Sequence, residues 1–178
     1  MLLIDELLFE VTKDDDIYTE IIKNNLNDRR IVINQEITDD LLENVCLMIL
    51  KWNTEDKNLP VDKRKKIFIY VNSDGGDCVM GTQVLSCITY SKTPIVTVGF
   101  AKCASMASYI LAAGHDRYCF TNTIVLYHDG QTGYVSDMTP EFIEEIKDRE
   151  YYMFSEEAKE RHIVDKIIGV DCELDEIL

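Results

Sequence analysis

Proline is scarce in this chain, three residues in 178, and there is a single tryptophan. The composition of a Pro-rich linker or a disordered tract is therefore excluded. No run of 18 apolar residues occurs, so no membrane span is expected. The opening stretch MLLIDELLFEVTKDDD is apolar but has no basic flank and carries acids within it. It does not read as a secretory signal, and a cytoplasmic location is expected. Basic residues are outnumbered, 18 Lys and Arg against 33 Asp and Glu, giving a formal net charge of −15. Such a surface repels phosphate backbones, so no nucleic-acid partner is expected. Six cysteines are present without a C-x-x-C pair. Their apolar surroundings fit small buried hydrophobes in a reducing compartment, and no Cys/His spacing fits a metal site.

What is present is an ordinary globular composition, 46% hydrophobic and 29% charged, in a length that suits one domain with a small extension. Ile17, Ile21, Ile22 and Leu26 form a helical stripe over 17–27. RRIVINQEI (29–37) reads as a short strand. Thr38 and Asp39 offer a cap for a helix carrying Leu41, Leu42, Val45, Cys46, Met48, Ile49 and Trp52. NTEDKNLPVDKRKK (53–66) reads as a surface loop. IFIYVN (67–72) has the β-branched and aromatic content of a buried strand and runs into SDGGD. A helix over about 79–91, a strand IVTVGF (95–100), a small-residue helix MASYILAAG (106–114) and strands near 116–120 and 123–127 follow. Residues 139–149 read as a helix opened by Thr139 and Pro140, Ser155 as the cap of a short helix, and IVDKIIG (163–169) as a last strand. The alternation of strands and helices predicts an α/β architecture with crossover connections.

Three features could carry chemistry. Ser105, in FAKCASMASYILAAG, falls where a strand ends and a helix begins; free amides there favour a developing anion, though a plain capping serine has the same signature. The context is not G-x-S-x-G, so an α/β-hydrolase elbow is not matched. NSDGGD (72–77) ends a strand with two adjacent glycines, whose amides could donate to an oxyanion or simply make a tight turn. It lacks the G-x-x-x-x-G-K spacing of a phosphate loop. His128 ends an apolar strand, 23 positions after Ser105, far enough for the chain to fold back so that a neutral imidazole could take a serine proton. His115 and His162 lie in a turn and near a helix end, where a structural role is the simpler reading.

Together these segments resemble the proteolytic subunit of the Clp protease. IFIYVNSDGG is similar to a strand ending in N-S-P-G-G. ASM (104–106) with ILAAG (110–114) is similar to the nucleophile segment, and NTIVLYHDG to the histidine segment. KDREYYMFSEEAKERHIVDKII and DIYTEIIKNNLNDRRIVINQEI resemble the closing and opening segments, so the likeness runs from about Ile17 to Ile168. The resemblance implies a crotonase-like stack of strand-strand-helix units and a serine endopeptidase mechanism. Ser105 would be the nucleophile, His128 its base, and the amides of Gly75 and Met106 the oxyanion hole. It implies residues 1–16 as an axial arm, 17–136 as the peptidase head, and 137–178 as its closing segment and acidic tail. It further implies two stacked heptameric rings, an AAA+ unfoldase that uses ATP and feeds unfolded polypeptide, and no cofactor or metal in this subunit.

The likeness is incomplete. Glu150 falls where the family carries the aspartate that orients the histidine, with Asp148 the alternative. Asp74 replaces the proline of N-S-P-G-G. The handle helix and strand expected after Ser136 are truncated or disordered, with that segment absent between 136 and 137. These departures leave room for a catalytically inactive ring subunit of the same family. An acyl-CoA enzyme of the wider crotonase fold would use the same glycine amides but has no need of the Ser105 and His128 pair.

Overall fold

The computed structural model of the chain describes residues 15–128 and 150–177. The predicted helix over 139–149, most of the N-terminal arm, the shortened handle and Asp148 all lie outside the described residues.

The described chain begins with α1 (Asp15–Asn27), β1 (Arg30–Ile33), α2 (Asp39–Asp56), β2 (Ile67–Ser73), α3 (Cys78–Thr89) and β3 (Ile95–Ala104). It continues with α4 (Met106–Ala112), β4 (Asp116–Phe120), β5 (Ile124–His128), β6 (Glu150–Phe154), α5 (Ser155–Glu160) and β7 (Lys166–Ile168). The alternation predicts parallel crossovers, and parallel pairing is found between β1 and β2, β2 and β3, β3 and β4, and β4 and β7. The helix α2 runs four residues into the segment read as loop, because no breaker interrupts it before Pro60. Thr38 occupies its N-cap position, but its side chain makes no capping bond. Ser155 is likewise not a cap: its hydroxyl donates to Thr121 O at 2.9 Å and ties α5 to the turn before β5.

Strand β2 shows how the two faces are filled. Ile67, Ile69 and Val71 join the main core beneath the helices, with Ile49, Trp52, Val84, Ile88, Ile110 and Leu111. Phe68 and Tyr70, pointing the other way, join a second cluster with Val96, Val98, Ile168 and Cys172. Period two thus supplies both layers from one strand, as expected for a strand buried on both sides.

Strand β3 is longer than the predicted 95–100 because it serves two partners. Its first half, Val96–Gly99, pairs with β4, and its last residues, Lys102–Ala104, pair with β5. At the fork the buried Thr123 hydroxyl lies 2.9 Å from Gly99 O and 3.1 Å from Phe100 O. β5 in turn pairs antiparallel with β6, a strand the sequence reading did not anticipate. The C-terminal ends of β2, β3 and β5 therefore converge on one side of the sheet, where ligand sites of open α/β sheets form.

Candidate functional site

Ser105 follows the last residue of β3 and precedes α4. Its backbone stands at φ 51°, ψ −127°, a conformation that L-residues rarely adopt and that costs on the order of 1–3 kcal/mol. The surroundings hold it there. Ser105 N–H donates to Leu126 O at 3.0 Å, extending the β3–β5 ladder by one bond. Its carbonyl accepts from Ser108 N–H at 2.9 Å and from the Ser108 hydroxyl at 2.6 Å. The Ser105 side chain makes no capping bond to α4. Because α4 has only seven residues, any effect on an anion would come from its first amides rather than a long dipole.

The glycine turn lies against this serine. A methyl group on Gly75 would sit 2.7 Å from Ser105 Cβ, 2.7 Å from Ala104 O and 3.1 Å from Met106 N. Gly75 also has φ +98°. Only glycine therefore permits the turn to approach the serine so closely. Gly76 (φ +151°) is pressed as tightly on Ile37, whose N–H donates to Gly75 O at 2.9 Å and whose carbonyl accepts from Asp77 N–H at 2.9 Å. Asp77 then caps α3 by accepting from Met80 N–H at 2.9 Å. In this conformation the Gly75 amide donates to Ser73 Oγ at 3.1 Å, and the Ser73 hydroxyl donates to Gln35 O at 2.6 Å.

His128 is the last residue of β5, two positions beyond Leu126, the residue whose carbonyl Ser105 binds. The imidazole thus belongs to the strand next to the serine, at the same end of the sheet. Across from it, Glu150 is its register partner on β6. Directly opposed residues of an antiparallel pair share a face with Cβ atoms about 4.5–5.5 Å apart. Glu150 accepts a hydrogen bond from the Tyr152 hydroxyl at 3.0 Å. The neighbouring carboxylate raises the Tyr152 phenol above its ordinary value. Among the described residues, no hydrogen bond joins Ser105 Oγ to His128 or His128 to Glu150. The fold brings serine, histidine, glutamate and glycine turn to one place, in a conformation where the turn amide and the carboxylate are engaged by Ser73 and Tyr152.

A polar cleft of about 420 Å³ opens beside the glycine turn, lined in part by Asn34, Glu36, Asn72, Asp74 and Lys102. Lys102 forms an ion pair with Asp74, which raises its ammonium above the ordinary value. The Lys102 backbone N–H donates to Asn72 Oδ1 at 3.1 Å. Tyr152 and Lys102 were not anticipated from the sequence. An alternation in E-Y-Y-M-F was available as a signal, but only Met153 in it is buried.

The remaining candidates have structural roles. His115 Nδ1 accepts from Ile95 N–H at 3.0 Å at the start of β3. His162 has φ 60°, and its N–H donates to Lys159 O where α5 ends. All six cysteines are free thiols, four of them buried. Burial pushes Cys103 and Cys119 up to about 12, and burial together with the neighbouring Cys87 does the same for Cys46. Such thiols are poor nucleophiles at neutral pH. Among the described residues there is no group of three His, Cys, Asp or Glu arranged to hold a metal ion, and no helix long and apolar enough to cross a membrane.

Comparison with known proteins agrees with this architecture. The family model of the Clp protease matches residues 13–139. Among solved structures, the ClpP1 N165D mutant from Listeria monocytogenes superposes with a TM-score of 0.74 at 22% sequence identity, covering 89% of this chain and 99% of that one. The chain belongs to the Clp protease family, and its mixed α/β fold built on a largely parallel sheet is the fold of that structure.

Proposed function

We propose that this chain is a serine endopeptidase subunit that cleaves unfolded polypeptide through an acyl-enzyme. The observation that carries the reading is Ser105 itself: a strained serine at a strand end, with a glycine turn packed on its Cβ and a histidine at the end of the adjoining strand. Strain of this kind persists where function requires it. Serine is a weak nucleophile without an adjacent base, and His128 is the base at hand. His128 takes the Ser105 proton as the hydroxyl attacks the peptide carbonyl. The amides of Gly75 and Met106 hold the oxyanion, which requires Gly75 N–H to exchange Ser73 Oγ for the substrate. The leaving amine takes the proton from His128, and water then repeats the sequence to release the acyl group. Glu150 accepts from the imidazole and balances its charge, as carboxylates do in related triads.

Family membership supports the assembly that goes with this chemistry. The subunit works in two stacked heptameric rings in the cytoplasm and is fed by an AAA+ unfoldase. ATP is consumed by that partner, and this subunit uses no cofactor. A fluorophosphonate should label Ser105 in the assembled protein, and His128→Ala should abolish that labelling. An unlabelled Ser105 in assembled rings would instead favour a non-catalytic ring subunit. That second reading draws on the engaged Gly75 amide and on Glu150 standing where the family has aspartate.

A further inference from the structure

Glutamate in place of aspartate lengthens the acid by one methylene and adds a rotatable bond. A carboxylate meant to face an imidazole then has more ways to turn aside, unless something fixes it. β6 supplies such a group. Glu150 and Tyr152 are two residues apart on one strand and so project from the same face, opposite His128 and Leu126 on β5. The Tyr152 hydroxyl lies 3.0 Å from Glu150 Oε2, and the ring of this residue is more than half exposed rather than committed to the core. The carboxylate has two oxygens and several lone pairs. A bond from Tyr152 to Oε2 leaves Oε1 available to the histidine across the strand pair.

We propose that Tyr152 is a positioning residue that pins Glu150 beside His128, so that the longer acid does the work of an aspartate. The inference rests on the triad reading given above. Tyr152 contacts no reacting atom; it acts through Glu150. Among the described residues, Lys102 of β3 lies near enough to feel both Glu150 and Tyr152, and its own ion-pair partner is Asp74 of the glycine turn.

The test is the proton affinity of the His128 imidazole, followed by NMR titration in the full chain, together with peptide cleavage by the assembled protein. Tyr152→Phe should lower the His128 affinity for its proton at least twofold and reduce kcat about fivefold with KM unchanged. In a Glu150→Gln background the same change should have no further effect on either quantity. Glu150→Asp should make activity indifferent to Tyr152→Phe, since the shorter acid needs no tether. An unchanged or raised His128 affinity on Tyr152→Phe overturns the proposal, as does an equal loss in the Glu150→Gln background. The imidazole titration does not require a working nucleophile. A protein in which Ser105 resists fluorophosphonate but His128 still responds to Tyr152 would refute the peptidase reading and leave the positioning role standing.

Discussion

The two ends of the sheet are built on opposite terms. At the N-terminal ends of β1, β2 and β3 a buried polar network is matched, although Arg30 Nε beside it is buried without a hydrogen-bond partner among the described residues. Arg29, Lys65 and Thr93 stand just before β1, β2 and β3. The Arg29 guanidinium grips Asp56 through both nitrogens, at 2.5 and 2.9 Å, and also donates to Lys65 O at 2.9 Å. The Thr93 hydroxyl donates to Asp56 Oδ2 at 3.0 Å, and the guanidinium lies 6.0 Å over the Trp52 ring. At the C-terminal ends, by contrast, Ser105 is strained, the glycine turn is forced into positive φ, and Glu150, Asp74 and Lys102 are open to solvent. One end of the molecule holds the strands together, and the other holds groups away from their most comfortable arrangements. The contrast teaches where each kind of residue should be sought in an α/β head of this sort.

Mutations should separate the two ends, beginning with the largest effect. Ser105→Gly should abolish peptide cleavage, a loss of at least about 10⁴-fold in kcat/KM. It should also raise unfolding stability by about 1 kcal/mol in urea titration, because glycine accepts φ 51° freely. A fall in stability would show that the serine side chain supports the fold. Gly75→Ala comes next. The added methyl collides with Ala104 O and Ser105 Cβ, so activity should drop about 100-fold or more, as for the loss of an oxyanion donor.

At the opposite end, Asp56→Ala should leave kcat/KM of the folded protein unchanged while costing about 3 kcal/mol of stability, since the buried Arg29 keeps only Lys65 O and the half-exposed Glu55 carboxylate at 3.5 Å. The pH dependence of that cost can be worked out. The Arg29 guanidinium, ahead of the opposing effect of burial, holds the Asp56 carboxyl below its ordinary value. Its contribution is therefore full above the unfolded carboxylate value of about 3.9 and is lost as pH falls through the lower folded value. Urea titrations of the parent and Asp56→Ala should converge below about pH 4; a gap that stays constant with pH would contradict the pairing. The smallest change is expected from Lys102→Gln. Its pair with Asp74 is exposed and screened by solvent, so urea titration should show no change in stability.

The main elements were legible in the sequence because their signals are local. The apolar run at 67–72, the small residues after Ser105 and the β-branched strand before His128 each announce their element within a few positions. What escaped depends on partners far away in the chain. Nothing near Arg29 hints at Asp56, 27 positions later, or at Thr93. Strand β6 escaped because Glu150, Tyr152 and Phe154 face outward and Tyr151 turns to Glu157, to which its hydroxyl donates at 2.6 Å. Of the candidate site, the serine, the histidine and the glycines could be named from motif and order. The strain at Ser105 and the engagement of Glu150 by Tyr152 arise only when strands meet.

The fork in β3 limits how chain length can vary in this protein. Six of its ten residues pair with β2 on one side, across a register shift between Gly99 and Cys103, while the other side serves β4 first and β5 after. Adding or removing one residue between Gly99 and Lys102 would invert which side chains face the helices in one half while leaving the other half fixed. That short span acts as a ruler between the hydrophobic interior and the serine. Insertions should be tolerated at the helix ends and in the turn around Pro60, and rejected there.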